Sequence, residues 1–429
     1  DPEDFAELLV ANYAAGKSSA ASVQVTADRA VKWSASIGGK VAGKDLVWKF
    51  SKLAASGKHP QNSERDLQAA VRKFGLKMNV KIEEAPVRLY NPSTETIYEA
   101  KLPMICPVSF ATAIWREGPD LFESIFMGAE GKAGAQRFWT NARENASWFK
   151  AAAIPESSYP GLLPIYLYGD DVDAYRNSES GAVSAIGWGC DFGYKNEAML
   201  QTLLLCVYAE YTACEHTHDD IMLYACEKFK QMADPHINHP WHFGGFKFML
   251  CSCRGDLKWI NAINGKRVSF WLANICVQRL QRKDATNLDE LISTCMWSYC
   301  AMLREFDVCG MVLTTEQAAL LHKYGSLHLL SYAYLRKLSS QTVRKQLLRS
   351  SFCIIPKHHF LQHALDESMD SLINPGVYNL LAAESWVGSI GRISRKVHRL
   401  KVSARTIERY LCVVRLHLTR QKNRLRRQV

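Results

Sequence analysis

The sequence lacks any apolar run of the ~20 residues that a membrane-spanning helix needs. It also lacks the apolar segment of a secretory signal, and it begins with Asp rather than Met, which indicates a fragment or processed product. Its 13 cysteines are an odd number, and four of them lie in apolar stretches: Cys106, Cys206, Cys226 and Cys295. This usage is typical of reduced, buried thiols in an intracellular protein rather than of a disulfide framework.

Positive charge is the one property in excess, and it lies in one segment. The chain has 53 Lys and Arg against 42 Asp and Glu, a net charge of +11. Residues 392–427 hold thirteen of the cations and one acid, whereas the rest carries 40 basic against 41 acidic residues. Apolar residues recur in this segment at helical spacing: Ile407, Tyr410, Leu411 and Val414. Such a basic helix favours phosphate contact, with a solvated helix face or a nuclear-import signal as the alternatives.

Four apolar runs predict strands, and an amphipathic run between the third and the fourth predicts a helix. The strands are Ile165–Gly169, Val183–Trp188, Thr202–Ala209 and Phe246–Cys251, and the helix is His218–Met232. The order strand, strand, strand, helix, strand predicts an α/β fold with a mixed sheet.

The length of 429 residues predicts two or three domains. A capping box from Thr314 to Gln317 predicts the start of a long helix whose apolar face includes Leu321, Leu330 and Tyr334. The predicted segments are an N-terminal accessory region (1–99), partly low-complexity, with weak periodicity over 16–60 and a helix over 62–76; a helical aromatic-rich layer (100–160); the first part of the core (161–287); a helical insertion (288–355); the final core helices (356–400); and a basic tail (401–429).

Acidic residues follow two of the predicted strands and open a later helix. Asp170 and Asp171 follow the first strand, Asp256 follows the fourth, and Glu384 opens a helix that runs into the basic segment. Carboxylates at adjacent strand ends are suitable ligands for Mg²⁺ or Mn²⁺. Two such ions can activate water and stabilise the leaving oxygen of a phosphodiester. An Asp at a strand end can instead cap the strand or form a turn.

Three blocks of sequence resemble the transposase-like, RNase H-fold proteins of protist mobile elements. The blocks are LPIYLYGDD (163–171), FKFMLCSCRGDLKW (246–259), and PKHHFLQHALDES (356–368) with AESWVGSIGRISRKVH (383–398). The resemblance spans about residues 100–420 and implies an RNase H-like mixed sheet with a helical insertion and helical N- and C-terminal regions. It also implies a nuclease of the DDE kind, with Asp170, Asp256 and Glu384 as the catalytic acids.

The expected function is therefore a nuclear, transposase- or integrase-like nuclease that cuts or joins DNA, or RNA, with two metal ions and has no membrane partner. The expected metal ligands are the three catalytic acids together with Asp171. The expected nucleic-acid contacts are Lys357, His358, Arg392, Arg395, Lys396, Arg399, Lys401, Arg405, Arg409, Arg415 and Arg420.

Three alternatives remain at this stage. A decayed copy of such a nuclease would keep the fold and bind nucleic acid without cutting it. Tyr168-Gly169-Asp170-Asp171 also matches the metal-binding turn of template-dependent polymerases. His359 and His363 share a helix face and could hold a metal, and His236, His239 and His242 have ligand-like spacing, although both sets are also compatible with structural roles.

Overall fold

The computed structural model describes ten stretches of the chain. They are residues 2–55, 61–145, 149, 154–174, 181–193, 197–233, 244–254, 263–341, 356–378 and 381–428. Asp256 and the histidines at 236, 239 and 242 lie outside the described residues.

The described chain is a mixed α/β protein that divides into two compact units. The first unit contains Asp1–Gly131, Gly161–Gly255 and Ala382–Val429, and the second contains Lys132–Pro160 and Asp256–Leu381. In chain order the elements are α1 (Pro2–Ala14), α2 (Ala20–Ser36), α3 (Leu46–Ser51), α4 (Ser63–Lys73), β1 (Ile82–Asn91), β2 (Thr96–Ile105), α5 (Pro107–Glu117), α6 (Pro119–Phe126), α7 (Gly131–Asn145), β3 (Leu162–Asp173), β4 (Ala182–Cys190), α8 (Ala198–Gln201), β5 (Thr202–Ala209), α9 (Thr217–Ala233), β6 (Lys247–Arg254), α10 (Ile263–Leu280), α11 (Asn287–Val308), α12 (Thr315–Gln341), α13 (Pro356–Ser371), α14 (Leu381–Ser394) and α15 (Val402–Gln428).

The first unit is built on a four-stranded mixed sheet with the order β5-β4-β3-β6. β3, β4 and β5 are antiparallel neighbours, whereas β6 pairs with β3 in parallel after the crossover helix α9. All four predicted strands and the predicted helix are confirmed. Every residue of β5 is buried, as are residues 162–168 of β3, because both faces of the sheet are covered.

Aromatic side chains cover each face of this sheet. On one face, Trp188 of β4 contacts Phe126 of α6 and Phe229 of α9, with ring centroids 5.9 and 5.7 Å apart. On the opposite face, Tyr168 of β3 makes an edge contact with Trp386 of α14 at 6.0 Å. Trp188, Tyr168 and Trp386 are all fully buried, so the sheet forms the centre of the core of this unit.

The N-terminal region is more ordered than its weak periodicity suggests. The 16–60 segment contains helix α2, whose first turn is capped by Ser19 accepting from the backbone N–H of Ser22, and helix α3. The predicted helix over 62–76 is present as α4, but Asn62 caps it rather than Ser63. β1 and β2 form an antiparallel hairpin that is not among the predicted elements.

A hydrogen-bonded ion cluster ties the hairpin to α9. Glu83 of β1 accepts from Lys81, Lys228 and the hydroxyl of Tyr224, with distances of 2.9, 2.9 and 3.1 Å. Partial burial raises the pKa of the Glu83 carboxyl, but the hydrogen bonds from the two lysines outweigh it and lower that pKa to about 2. The carboxylate is therefore ionised at neutral pH and contributes to the stability of this contact.

The second unit is helical in its described part. The capping box is confirmed, since Thr314 N–H donates to Gln317 and the Gln317 N–H donates back to the Thr314 hydroxyl. The predicted apolar face of α12 is only partly buried, because Leu321 is 1% exposed whereas Leu330 and Tyr334 are 70% and 52% exposed. The core of the unit joins α11, α12 and α13: Met302, Leu313, Ala318, Leu321, Leu361 and Leu365.

Two predictions about larger features need correction. Helix α13, expected among the final core helices, clusters with the second unit. The eleven cysteines whose side chains the structure describes are all free thiols, as predicted, and Cys106, Cys206 and Cys295 are buried, but Cys226 is exposed.

Candidate functional site

The strands that lead to two of the predicted acids are adjacent and parallel. Tyr168 of β3 is in register with Arg254, the last residue of β6. Asp170 lies two residues beyond Tyr168, and Asp256 comes two positions after Arg254 in the sequence. Asp256 itself lies outside the described residues, and the strands that precede the two acids are hydrogen-bonded neighbours.

Asp170 and Asp171 point to opposite faces of β3, since neighbouring side chains alternate along a strand. Asp170 accepts a hydrogen bond of 2.9 Å from the hydroxyl of Tyr168 on the face covered by α14. Asp171 accepts a 2.5 Å hydrogen bond from the Ser184 hydroxyl of β4 on the other face. The prediction that both acids bind in one metal site is therefore corrected, and Asp170 is the candidate that remains.

The same geometry is unlike the polymerase turn. That turn requires two adjacent Asp residues in the loop of a hairpin, but here β3 continues through Asp173. Asp170 and Asp171 are paired within the ladder with Ala185 and Ser184 of β4. The Tyr-Gly-Asp-Asp match is thus part of a continuous strand.

Glu384 lies in the first turn of α14, the helix that packs against β3. A Cβ atom added to Gly391 would lie 2.7 Å from a methyl carbon of Val172, so the helix backbone rests directly on the strand. Glu384 precedes Gly391 by seven residues, two helical turns, and therefore shares its face. Asp170 and Val172 share a face of β3 because they are two residues apart. The structure thus brings the helix that carries Glu384 against the face of β3 that carries Asp170.

Glycine makes this close approach possible. At Gly187 of β4, an added Cβ would lie 2.8 Å from two ring carbons of Trp386. The indole of Trp386 is fully buried against the sheet, so it fixes the position of α14 two residues beyond Glu384.

Within the described part of the chain, no group of three or more His, Cys, Asp or Glu side chains is arranged to hold a metal ion.

The predicted basic tail is a core helix. The apolar residues at helical spacing lie in α15 as expected, and all four are fully buried: Ile407, Tyr410, Leu411 and Val414. The Tyr410 hydroxyl accepts a 3.0 Å hydrogen bond from the backbone N–H of Leu204 in β5. Burial raises the pKa of this hydroxyl, so it stays protonated. The helix therefore belongs to the packing of the sheet.

Arg409 does not face solvent, and the prediction that it contacts nucleic acid is wrong. It is 2% exposed, and its Nη2 lies 3.3 Å from both carboxylate oxygens of Glu64 in α4. Its guanidinium carbon also lies 4.1 Å from the centroid of the Tyr13 ring, and the Tyr13 hydroxyl donates to Glu64. This pairing joins the N-terminal helices to α15, and no local sequence signal indicates it.

Two further residues of the predicted set, Arg405 and Arg415, form ion pairs within the protein. Arg415 binds the carboxylate of Glu117 in α5, which also binds Lys422 of α15. Although partial burial raises the pKa of Glu117, the hydrogen bond from Arg415 and its charge lower it overall. Arg405 forms a 2.5 Å ion pair with Glu408 one turn along the helix. The charges of these three cations are therefore paired with carboxylates of the protein itself.

The exposed cations of this region lie in two groups, one before α15 and one in the C-terminal part of that helix. Arg395 donates from Nε and Nη2 to the backbone oxygen of Asp173, the last residue of β3, at 3.1 and 2.7 Å. The other exposed members of the predicted set are Arg392, Lys396, Lys401 and Arg420. Asp173 is three residues beyond Asp170, or about 10 Å along the strand. Arg395 therefore brings positive charge close to the strand that carries the candidate acid.

Other predicted contacts are only partly described. The side chains of Arg399 and Lys357 lie outside the described residues, although the backbones of both are described. The ring of His358 packs against the ring of Tyr332, with centroids 4.6 Å apart. His358 is thus half-buried in the second unit.

Comparisons with protein-family models, curated proteins and solved structures each give no match for this chain. Among the helices that the structure describes, none combines the length and the apolar character that crossing a membrane requires.

Proposed function

We propose that this chain is a metal-dependent nuclease of the transposase and integrase kind, which acts on DNA phosphodiesters in the nucleus. The observation that carries the proposal is the sheet order, with three antiparallel strands, a crossover helix and a fourth strand parallel to the first. This is the order expected for the first part of an RNase H-like core. Because one fold can host many functions, the assignment of chemistry depends on the acids.

The placement of the acids supports the proposal. Asp170 lies on the face of β3 that α14 covers, and Glu384 belongs to the first turn of that helix. Asp256 comes two residues after β6, the parallel neighbour of β3. Carboxylate oxygens are the ligands that Mg²⁺ and Mn²⁺ prefer, so the donor set fits a hard divalent ion.

In the proposed reaction the three carboxylates would hold the ions, and the Tyr168 hydroxyl would orient the carboxylate of Asp170. When bound, the ions supply an activated water and stabilise the leaving oxygen. Exposed Arg392 and Lys396 would hold the phosphate backbone beside the acids, since α14 ends against the end of β3. Arg395 would act mainly by fixing this end of the helix to the strand.

The test is cleavage of duplex DNA in Mg²⁺ or Mn²⁺ without nucleotides. Asp170→Asn, Asp256→Asn and Glu384→Gln should each abolish cleavage, because each removes a ligand charge with little change in volume. Asp171→Asn is the matched control, since its side chain lies on the opposite face and Asn can still accept from Ser184. It should retain cleavage. Circular dichroism checks that each variant folds.

Retained cleavage by Asp170→Asn, with loss in Asp171→Asn, would overturn the assignment of the acids. DNA binding without cleavage by the unmodified chain in either metal would overturn the nuclease proposal. It would support the alternative, a nucleic-acid-binding relic of the same fold.

A further inference from the structure

Two histidines of the second unit form a pair on one exposed face of helix α13. His359 and His363 are one helical turn apart, and both are exposed. The opposite face of the helix is anchored in the core by Leu361 and Leu365, which are 7% and 0% exposed. A Cβ atom at Gly325 of α12 would collide with Leu365, so the two helices lie close together. The pair is therefore carried on a rigid support.

The distance between the imidazoles matches the requirement of a shared metal ion. The Nε2 atoms of His359 and His363 lie 3.0 Å apart, and the ring planes cross at 74°. With metal–nitrogen bonds of about 2.0–2.1 Å, two ligands at 90° would be about 2.9 Å apart, whereas two tetrahedral ligands would be about 3.3 Å apart. The observed separation corresponds to an angle of about 94° at the metal, close to that of neighbouring ligands in a square or octahedral site.

A carboxylate lies on the next turn of the same helix. Asp366 accepts hydrogen bonds from His322 of α12 at 3.0 Å and from Gln362 at 2.8 Å. The hydrogen bond from His322, followed by that from Gln362, lowers the pKa of Asp366, so its negative charge persists at neutral pH. Asp366 follows His363 by three positions, which places this charge beside the imidazole pair, where it favours a bound cation.

We propose that His359 and His363 together bind one divalent transition-metal ion, with water in the remaining positions. Imidazole ligands suit copper, nickel and zinc, and the near-90° arrangement favours Cu²⁺ and Ni²⁺ over tetrahedral Zn²⁺. The described residues contain no third ligand already in place, so the site is a two-histidine chelate. It differs in chemistry from the carboxylate site proposed for phosphodiester cleavage, lies on a helix that carries none of those three acids, and does not depend on that proposal.

The experiment titrates NiCl₂ into the full-length protein by isothermal calorimetry, with bound nickel counted after dialysis. Excess Mg²⁺ is present throughout, so that oxygen-rich sites are occupied by the hard cation. Wild type should bind one more Ni²⁺ per chain than His359→Ala or His363→Ala. Loss of a direct ligand should weaken the site at least about tenfold, since loss of even a supporting group often costs that much.

The matched control is His398→Ala, which removes an exposed histidine of the first unit whose Nδ1 accepts from the backbone of Leu400. It should bind as much nickel as the wild type. Equal nickel binding by wild type and His363→Ala would overturn the proposal, as would tighter binding of Zn²⁺ than of Ni²⁺. Asp170→Asn should leave nickel binding unchanged, so this test can fail without affecting the nuclease test.

Discussion

The burial of Arg409 leads to a prediction about stability that opposes a role in DNA contact. Glu64→Gln would remove the negative charge that lies 3.3 Å from the Arg409 guanidinium. The cation would remain in a place that water does not reach, because Arg409 is 2% exposed and its Nε has no hydrogen-bond partner. An uncompensated buried charge is among the costliest single changes in a folded protein.

The magnitude follows from how deeply each partner is buried. Removing one partner of a fully buried ion pair costs about 3–5 kcal/mol. The Glu64 side chain is 32% exposed, so solvent weakens the pair and the expected loss is about 2–3 kcal/mol. Arg409→Met should cost less than Glu64→Gln, because it removes the buried cation and leaves a carboxylate that water can partly hydrate.

Urea denaturation followed by circular dichroism measures these changes. Arg420→Met is the matched control, since Arg420 is an exposed cation of the same helix, and its free energy of unfolding should change by less than about 0.5 kcal/mol. If Glu64→Gln were as stable as wild type while Arg409→Met lost DNA affinity, the buried pair would not exist and Arg409 would be a surface contact.

Two further predictions concern the sheet unit. The pKa of Glu83 is lowered from its ordinary value of 4.5 to about 2 in the folded chain. Glu83 therefore contributes up to about 3 kcal/mol to the free energy of unfolding above pH 4.5, and this contribution is lost as the pH falls towards 2. Glu83→Gln should therefore lose less stability than wild type between pH 5 and pH 2 in acid-denaturation curves; equal losses would contradict this. Gly187→Ala should cost about 1–3 kcal/mol in thermal unfolding because its methyl group would collide with Trp386. Gly169→Ala is the control, because its added Cβ would lie 3.6 Å from the nearest side-chain carbon, on Ile186, which is an ordinary contact distance. Equal losses of stability in the two variants would refute the packing argument.

Local signals account for what the sequence predicts well. The predicted strands are short apolar runs, and β5 and nearly all of β4 are buried on both faces. The capping box beginning at Thr314 satisfies backbone groups within one turn. The hairpin from Ile82 to Ile105 is not among the predicted elements. In β1 the buried Ala85, Val87 and Leu89 alternate with exposed residues, but the first four residues of β2 are all exposed and show no such alternation. Leu330 lies on the predicted apolar face of α12 but is exposed. Helical periodicity identifies the apolar face of a helix, but it does not say how much of that face another element covers.

In the basic segment, residues 392–427, the number of cations does not by itself predict the affinity for nucleic acid. The near-neutral balance of the remaining residues includes Glu64 and Glu117, which are the partners of Arg409 and Arg415. Only cations that are free to approach phosphate release counterions, at about 0.9 per contact, so paired or buried ones add nothing to the salt dependence of binding. Any such dependence should therefore arise from exposed residues such as Lys396, and removing α15 would disrupt the core before it tested nucleic-acid binding.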